Sequence, residues 1–134
     1  MNWMHCAEAV VAAVIACSFT DWFFMGVLFH GKYKAHPEVW RDAVTQGGES
    51  RAIAWATLLT VVTCAAFVAL CAAFAIATLP RACALAIGIW LVAPLPLLVT
   101  NALFIKFHPL VTVSQALGWL AKLLVCAFAA AWLL

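Results

Sequence analysis

Charged side chains are scarce in this sequence. Only 7 Lys and Arg and 5 Asp and Glu occur among 134 residues, or 9%, whereas soluble domains carry about 25%. At 69% hydrophobic composition, a chain of this length has more apolar surface than a soluble fold can bury. The scarcity of charge therefore excludes an ordinary soluble domain and indicates a polytopic membrane protein. The formal net charge of +2 is too small to suggest nucleic acid as a partner.

Sequence signatures of catalysis and metal binding are also lacking. No G-x-S-x-G, H-E-x-x-H, Walker or Rossmann pattern occurs, so no reaction class is indicated. The six cysteines form no C-x-x-C pair and lie in apolar segments, which favours a packing role over a disulfide framework. His30, His36 and His108 should lie near one membrane surface, but their spacing is not diagnostic of a metal site or haem. We therefore expect no metal and no cofactor.

Four apolar stretches are long enough to cross about 30 Å of hydrocarbon. They cover residues 6–29, 52–79, 83–105 and 110–134. They are rich in Ala, Leu and Val and lack the alternation of a transmembrane barrel. The sequence therefore predicts a single all-α domain, an up-down four-helix membrane bundle with a longer first loop at 30–51. Tight turns at Pro80-Arg81 and at 107–109 should pack spans two, three and four as a hairpin series.

Basic residues are distributed unevenly between the predicted loops. Five lie in the first and third loops, namely Lys32, Lys34, Arg41, Arg51 and Lys106, against Arg81 alone in the second. The positive-inside rule then predicts that the first and third loops are cytoplasmic and both termini outside. Within the first loop, residues 37–44 are consistent with a short interfacial helix, with a plain polar loop as the alternative.

Two charges lie well inside predicted spans. Asp21 is in the first and Lys122 in the fourth. A charge at membrane depth costs a few kcal/mol, so it usually faces the bundle interior and finds a partner. At 1.5 Å per residue, Asp21 lies about 12 Å and Lys122 about 18 Å from the inner ends of their helices. A snorkelling lysine brings the two within reach. A structural ion pair, a binding or proton-handling site, and no contact at all remain as alternatives.

The third and fourth spans add polar residues near this depth. Gln115, Trp119 and Lys122 share one stripe of the fourth helix at helical spacing, the face able to hide Lys122 from lipid. Pro94 should break the third helix, as at some binding sites and at many packing kinks. The second span offers only threonines and is interpreted as scaffold. The predicted ligand site, in the cytoplasmic half of the bundle, comprises Asp21, Trp22, Pro94, Asn101, Gln115, Trp119 and Lys122.

Several short motifs resemble one known family. The chain opens Met1-Asn2-Trp3, its first helix ends in residues 21–32, DWFFMGVLFHGK, and its third span contains Val92-Ala93-Pro94 and then residues 101–104, NALF. This pattern is similar to that of the bacterial membrane proteins grouped as domain of unknown function 1761. The resemblance implies a four-span architecture over nearly the whole chain and a location in a bacterial inner membrane. It implies no activity, and Lys122 departs from the pattern.

Three functions compete. The first is binding or transport of a small molecule; because 134 residues make a small bundle for alternating access, a homo-oligomer in membrane lipid is expected. The second is a structural or accessory membrane subunit. The third is a membrane enzyme on a lipid-like substrate, with Asp21 or Glu8 as acid or base beside Trp22, Trp90 and Trp119. The third ranks last because a second catalytic group is not evident.

Overall fold

The computed structural model describes residues 3–39, 42, 44–106 and 108–134. In these residues the chain forms helices and their connections, without a β-strand. The helices are α1 (Trp3–Trp22), α2 (His30–Ala35), α3 (Glu49–Ala73), α4 (Leu79–Val92), α5 (Pro94–Phe104) and α6 (Pro109–Leu133). A π-helical segment, Phe23–Leu28, joins α1 to α2, and a single 3-10 turn, Pro37–Val39, follows α2.

Four helical stretches of the described chain are long and apolar enough to cross a membrane. They are Trp3–Leu28, Gln46–Ala73, Leu79–Phe104 and Pro109–Leu133. This confirms the predicted all-α four-helix bundle and supports a polytopic membrane protein. Only 11% of the most apolar window is buried in the first and third stretches, so most of their apolar side chains face outward, where lipid would solvate them.

The connection between the second and third spans lies earlier than predicted. The chain leaves α3 after Ala73 and turns through Ala75, whose φ is 51°. Pro80 then lies in the first turn of α4, where its missing N–H needs no helical partner. The turn predicted at Pro80-Arg81 is therefore wrong by a few residues, because a proline that can end a helix can equally begin one.

The third span is broken, as its prolines predict. Helix α4 ends at Val92, Ala93 has φ −122° and ψ −71°, and α5 begins at Pro94. Regular bonding resumes on each side, since the Ala93 amide donates to the Ile89 carbonyl at 3.0 Å and the Leu97 amide to the Ala93 carbonyl at 3.2 Å. Pro96 lies in the first turn of α5 and causes no second break.

Helical structure extends further into the first loop than predicted. The π-helical segment and α2 continue the first span to Ala35, and Gly47, at φ 106°, precedes α3. Of the interfacial helix predicted over 37–44, the structure shows a 3-10 turn at Pro37–Val39, helical backbone at Asp42, and the start of a second π-helical segment, Val44–Gly48. Trp40, Arg41 and Ala43, which the prediction also used, lie outside the described residues.

Helix α6 is the centre of the packing. It contacts α1, α3, α4 and α5, and α1 also packs on α3. Consecutive helices α3 and α4 make few contacts with each other, so the hairpin series expected for spans two, three and four does not form between the second and third. The core is built mostly of small residues, which let helices approach closely. They include Ala13, Cys17, Cys64, Ala82, Ala86, Cys126, Ala127 and Ala130.

The first and last helices bring the two ends of the described chain together at one end of the bundle. The His5 Nδ1 atom is 3.2 Å from the carbonyl oxygen of Leu133. We call this the terminal end, and the opposite end, where Lys32, Lys34 and Lys106 lie, the basic end. Because basic loops favour the cytoplasm, the basic end stays our prediction for the cytoplasmic side.

Candidate functional site

An ion pair connects the first and fourth spans inside the bundle. The Lys122 Nζ atom donates to Asp21 Oδ2 at 2.8 Å and to Thr60 Oγ1 at 3.0 Å. The Thr60 hydroxyl in turn donates to Asp21 Oδ2 at 3.4 Å. We call these three residues, from α1, α3 and α6, the polar triad. The sequence left open whether the two charges make contact, and in the structure they do.

The triad encloses its cation more fully than its anion. The Lys122 side chain is 13% exposed, Thr60 is buried, and Lys122 Nζ lies 5.5 Å from the centroid of the Trp119 ring, within range of a cation–π interaction. The Asp21 side chain is 42% exposed. Both contacts to Asp21 reach Oδ2, and among the described residues no hydrogen bond reaches Oδ1. One carboxylate oxygen is therefore available to a ligand.

A backbone irregularity begins beside this carboxylate. The π-helical segment Phe23–Leu28 starts two residues after Asp21, and such segments are common at functional sites. Gly26, inside it, has the Trp22 indole 3.4 Å from where a Cβ would lie. A larger residue at position 26 would therefore meet that ring, which stands next to Asp21 in the chain.

The predicted site is only partly assembled. Trp119 lies beside Lys122 as expected, but Trp22 is 59% exposed and Gln115 is exposed. Pro94 and Asn101 are partly buried on α5, which packs on α4 and α6. Among the described residues, no hydrogen bond or ion pair connects them to the triad.

The second span is part of the site and not only scaffold. Thr60 bonds both charges, whereas Thr57 and Thr63 donate to carbonyls of their own helix. Sequence reasoning treated the three threonines alike because each has the same chemistry. A usable signal was spacing, since Thr60 and Cys64 repeat the four-residue step of Cys17 to Asp21 and of Lys122 to Cys126.

Three cysteines form a second layer one helical turn from the triad, toward the terminal end. Cys17, Cys64 and Cys126 are fully buried free thiols. Their Sγ atoms lie 3.8 Å apart for Cys17–Cys126 and Cys17–Cys64, and 3.6 Å apart for Cys126–Cys64. We call them the thiol trio. The burial of the three cysteines is as predicted for packing residues. Their convergence from three helices was not predicted, because the second span was interpreted as scaffold.

Tyr33 fixes the start of the first loop to the fourth span. This buried tyrosine, the only one in the chain, has its hydroxyl 2.5 Å from Ser114 Oγ. Because Ser114 itself donates to the Val111 carbonyl, the tyrosine is the donor to Ser114. The contact joins α2 to α6 at the basic end, and no sequence pattern had singled out Tyr33.

Two histidines and a carboxylate gather at the basic end. His36 Nδ1 donates to Glu38 Oε1 at 2.9 Å, and the His36 and His108 rings lie 4.2 Å apart between centroids. A hydrogen bond from its own backbone N–H and the one from His36 lower the pKa of the Glu38 carboxyl. His108 Nδ1 accepts the Leu110 amide and caps α6. A carboxylate thus joins two of the three histidines, which the sequence analysis did not expect.

Two open surface grooves lie away from the triad and are apolar. One, of about 430 Å³, is lined by Ala12, Ala16, Val125, Phe128, Ala129, Trp132 and Leu133. The other, of about 390 Å³, is lined by Ala84, Leu85, Gly88, Ile89, Val92 and Ala93. Grooves of this kind on outward-facing helices suit lipid acyl chains.

No family model matches this chain, and neither does any curated protein or solved structure. The resemblance to domain of unknown function 1761 therefore stays a prediction from short motifs. Any function must be argued from the chemistry of the triad and of the groups around it.

Proposed function

We propose that this protein binds or transports a small molecule at the polar triad, and that the ligand presents a hydrogen-bond donor or a cationic group to Asp21. The supporting observation is the asymmetry of the carboxylate. Its Oδ2 atom takes both contacts of the triad, while Oδ1 has no hydrogen bond among the described residues and the side chain is 42% exposed. A carboxylate oxygen without a hydrogen bond at membrane depth is costly. A hydrogen bond from a ligand to Oδ1 would offset part of this cost.

Lys122 and Thr60 balance the charge of the Asp21 carboxylate and fix its orientation. Lys122 places its ammonium group 2.8 Å from Asp21 Oδ2, so the two side chains form an ion pair. Thr60 fixes the orientation of this carboxylate with a second contact to the same oxygen. With one charge of each sign, the triad is neutral overall. A ligand carrying a neutral donor or a single positive charge would therefore meet no net repulsion.

The surroundings of the triad suggest how the ligand is covered. The outward face of α1 near Asp21 carries Trp22 and Phe19, exposed at 59% and 64%. Membrane lipid solvates such a face, and a second copy of the chain would supply an opposite wall to the site. We therefore infer a homo-oligomer in a bacterial inner membrane, with the triad opening toward the cytoplasmic side.

The test is native mass spectrometry of protein purified in mild detergent. Wild type should carry a stoichiometric adduct, and Asp21→Asn, which keeps the shape but loses the charge, should lose it. Glu8→Gln is the matched control, because it removes a carboxylate from the same helix near the terminal end. A wild type without adduct, or an adduct that persists in Asp21→Asn, would contradict the proposal.

A structural role is the second candidate. Lys122 already has Asp21, Thr60 and Trp119 as partners, so the pair can tie α1 to α6 without any ligand. A bare protein of defined oligomeric mass that is destabilised by Asp21→Asn would favour this function. The enzyme hypothesis is weaker, because Trp22 is largely exposed and the Trp90 indole donates to the Ala116 carbonyl, with no hydrogen bond to the triad among the described residues.

A further inference from the structure

We propose that Cys17, Cys64 and Cys126 form a binding site for one soft monovalent metal ion, Cu(I). The site lies one helical turn from the polar triad and is independent of the ligand proposed for Asp21. Three thiols from three different spans converge in the bundle centre, all with no exposed surface.

The spacing of the three sulfurs already suits a bound ion. The triangle has sides of 3.8, 3.8 and 3.6 Å. Its centre lies about 2.2 Å from each sulfur, against metal–thiolate bonds of about 2.3 Å. An ion in the plane of the trio would therefore need shifts of only about 0.1 Å in the sulfur positions.

The donor set selects the metal. Thiolates favour Cu(I), zinc and iron–sulfur clusters, but zinc sites are almost always four-coordinate. Among the described residues, the group of potential ligands here contains the three thiols alone. The backbone carbonyl of Lys122, 3.6 Å from Cys17 Sγ, belongs to the α6 helical ladder and is a poor fourth ligand. Three soft ligands in a dry site suit three-coordinate Cu(I).

Metal binding would change the protonation and the charge of the trio. Each thiol that bonds the metal gives its proton to solvent, and neither copper nor sulfur changes oxidation state. Copper with three thiolates carries two net negative charges. The ammonium group of Lys122, one helical turn from Cys126 on α6, offsets part of this charge, although it is also paired with Asp21. We expect release of about three protons per copper bound.

A matched control lies on the same helix as one of the ligands. Cys71 is as fully buried as Cys64 and also on α3, but it is two helical turns away and outside the trio. Loss of either thiol removes a similar volume from the core. Only the loss of Cys64 removes a proposed ligand.

The experiment is an anaerobic titration of the purified full chain with Cu(I), in ascorbate, against the chromophoric chelator bathocuproine disulfonate. Wild type and Cys71→Ala should bind one Cu(I) per chain. Mutation of a residue that only hydrogen-bonds a metal ligand lowers metal affinity about 10–100-fold. Cys64→Ala removes a ligand itself, so it should lower the affinity for Cu(I) by at least about 100-fold. Asp21→Asn should keep the copper stoichiometry, which separates this proposal from the function proposed for the triad.

X-ray absorption at the copper edge of loaded wild type provides a second measurement that needs no variant. It should show three sulfur neighbours at about 2.2–2.3 Å. Absence of stoichiometric Cu(I) in wild type would overturn the proposal. So would equal weakening in Cys71→Ala, fewer than three sulfur ligands, or preferential binding of zinc.

Discussion

Asp21 and Lys122, 101 positions apart in the chain, meet at 2.8 Å between α1 and α6. Each has a cysteine one helical turn toward the terminal end, Cys17 and Cys126, and those thiols lie 3.8 Å apart. The ionic contact and the thiol contact are therefore stacked layers of one helix pair. Thr60 and Cys64 of α3 complete both layers.

The first prediction concerns the coupling between the two charges. Removing one partner of a buried pair costs about 3–5 kcal/mol, and the half-exposed Asp21 reduces this to about 2–3 kcal/mol for Asp21→Asn or Lys122→Met. The double variant should lose less than the sum of the two, with a coupling of about 1–3 kcal/mol. The measurement is reversible unfolding in detergent for all four proteins. Additive losses would show that the pair contributes no mutual stabilisation.

The second prediction concerns the hydroxyl of Thr60. Thr60→Val keeps the shape and removes the contacts to both charges, so it should cost about 1–2 kcal/mol of unfolding free energy. Thr57→Val and Thr63→Val are matched controls, because those hydroxyls bond only carbonyls of their own helix. They should change stability by less than about 0.5 kcal/mol. Equal losses of unfolding free energy at all three positions would mean that the contacts of Thr60 to the two charges add no stability, and that the second span acts only as scaffold.

The sequence was sufficient for the number and approximate position of the spans, but not for which of them pack together. Charge scarcity and four long apolar stretches predicted the four spans, because in lipid the backbone must satisfy its own hydrogen bonds. Pro94 predicted the break in the third span for the same local reason. The cost of a charge at membrane depth made a contact between Asp21 and Lys122 one of the expected alternatives, and the structure shows that the two side chains meet.

The composition of the site was less predictable. Which helices surround a charge depends on packing, and small residues such as Ala13 and Ala127 decide how closely α1 and α6 approach. Periodicity placed Gln115 on the stripe of Lys122, yet Gln115 is exposed, because neighbouring helices cover only part of that stripe. Thr60 was treated like the other threonines of its span because the four-residue step that it shares with Cys64 was not used, and Tyr33 was missed because nothing in the sequence indicates the partner of its hydroxyl.

The third prediction concerns the contact between Tyr33 and Ser114. Tyr33→Phe removes the donor and should cost about 1 kcal/mol, loosening α2 from α6. Hydrogen exchange, followed by mass spectrometry, should become faster over residues 30–39. Lys34→Ala, an exposed position of the same helix, is the control and should leave exchange unchanged. Unaltered protection in Tyr33→Phe would mean that other contacts hold α2 in place.

The fourth prediction concerns the ionisation of Glu38. Its own backbone N–H and the His36 ring lower its pKa, so its carboxyl should titrate below the ordinary value of 4.5 when followed by carbon NMR. A lowered pKa means that ionised Glu38 stabilises the fold above its ordinary pKa. This stabilisation is lost as the pH falls through the folded value.

A pair of histidine variants separates the two causes of the lowered Glu38 pKa, the backbone N–H and the His36 ring. His36→Ala should raise the pKa of Glu38 only part of the way, because the larger contribution, from the backbone N–H of Glu38, remains. His30→Ala removes an exposed histidine that is not part of the group of His36, Glu38 and His108, and should leave the midpoint unchanged. If His36→Ala does not move the midpoint, the 2.9 Å contact between His36 and Glu38 is not maintained in solution.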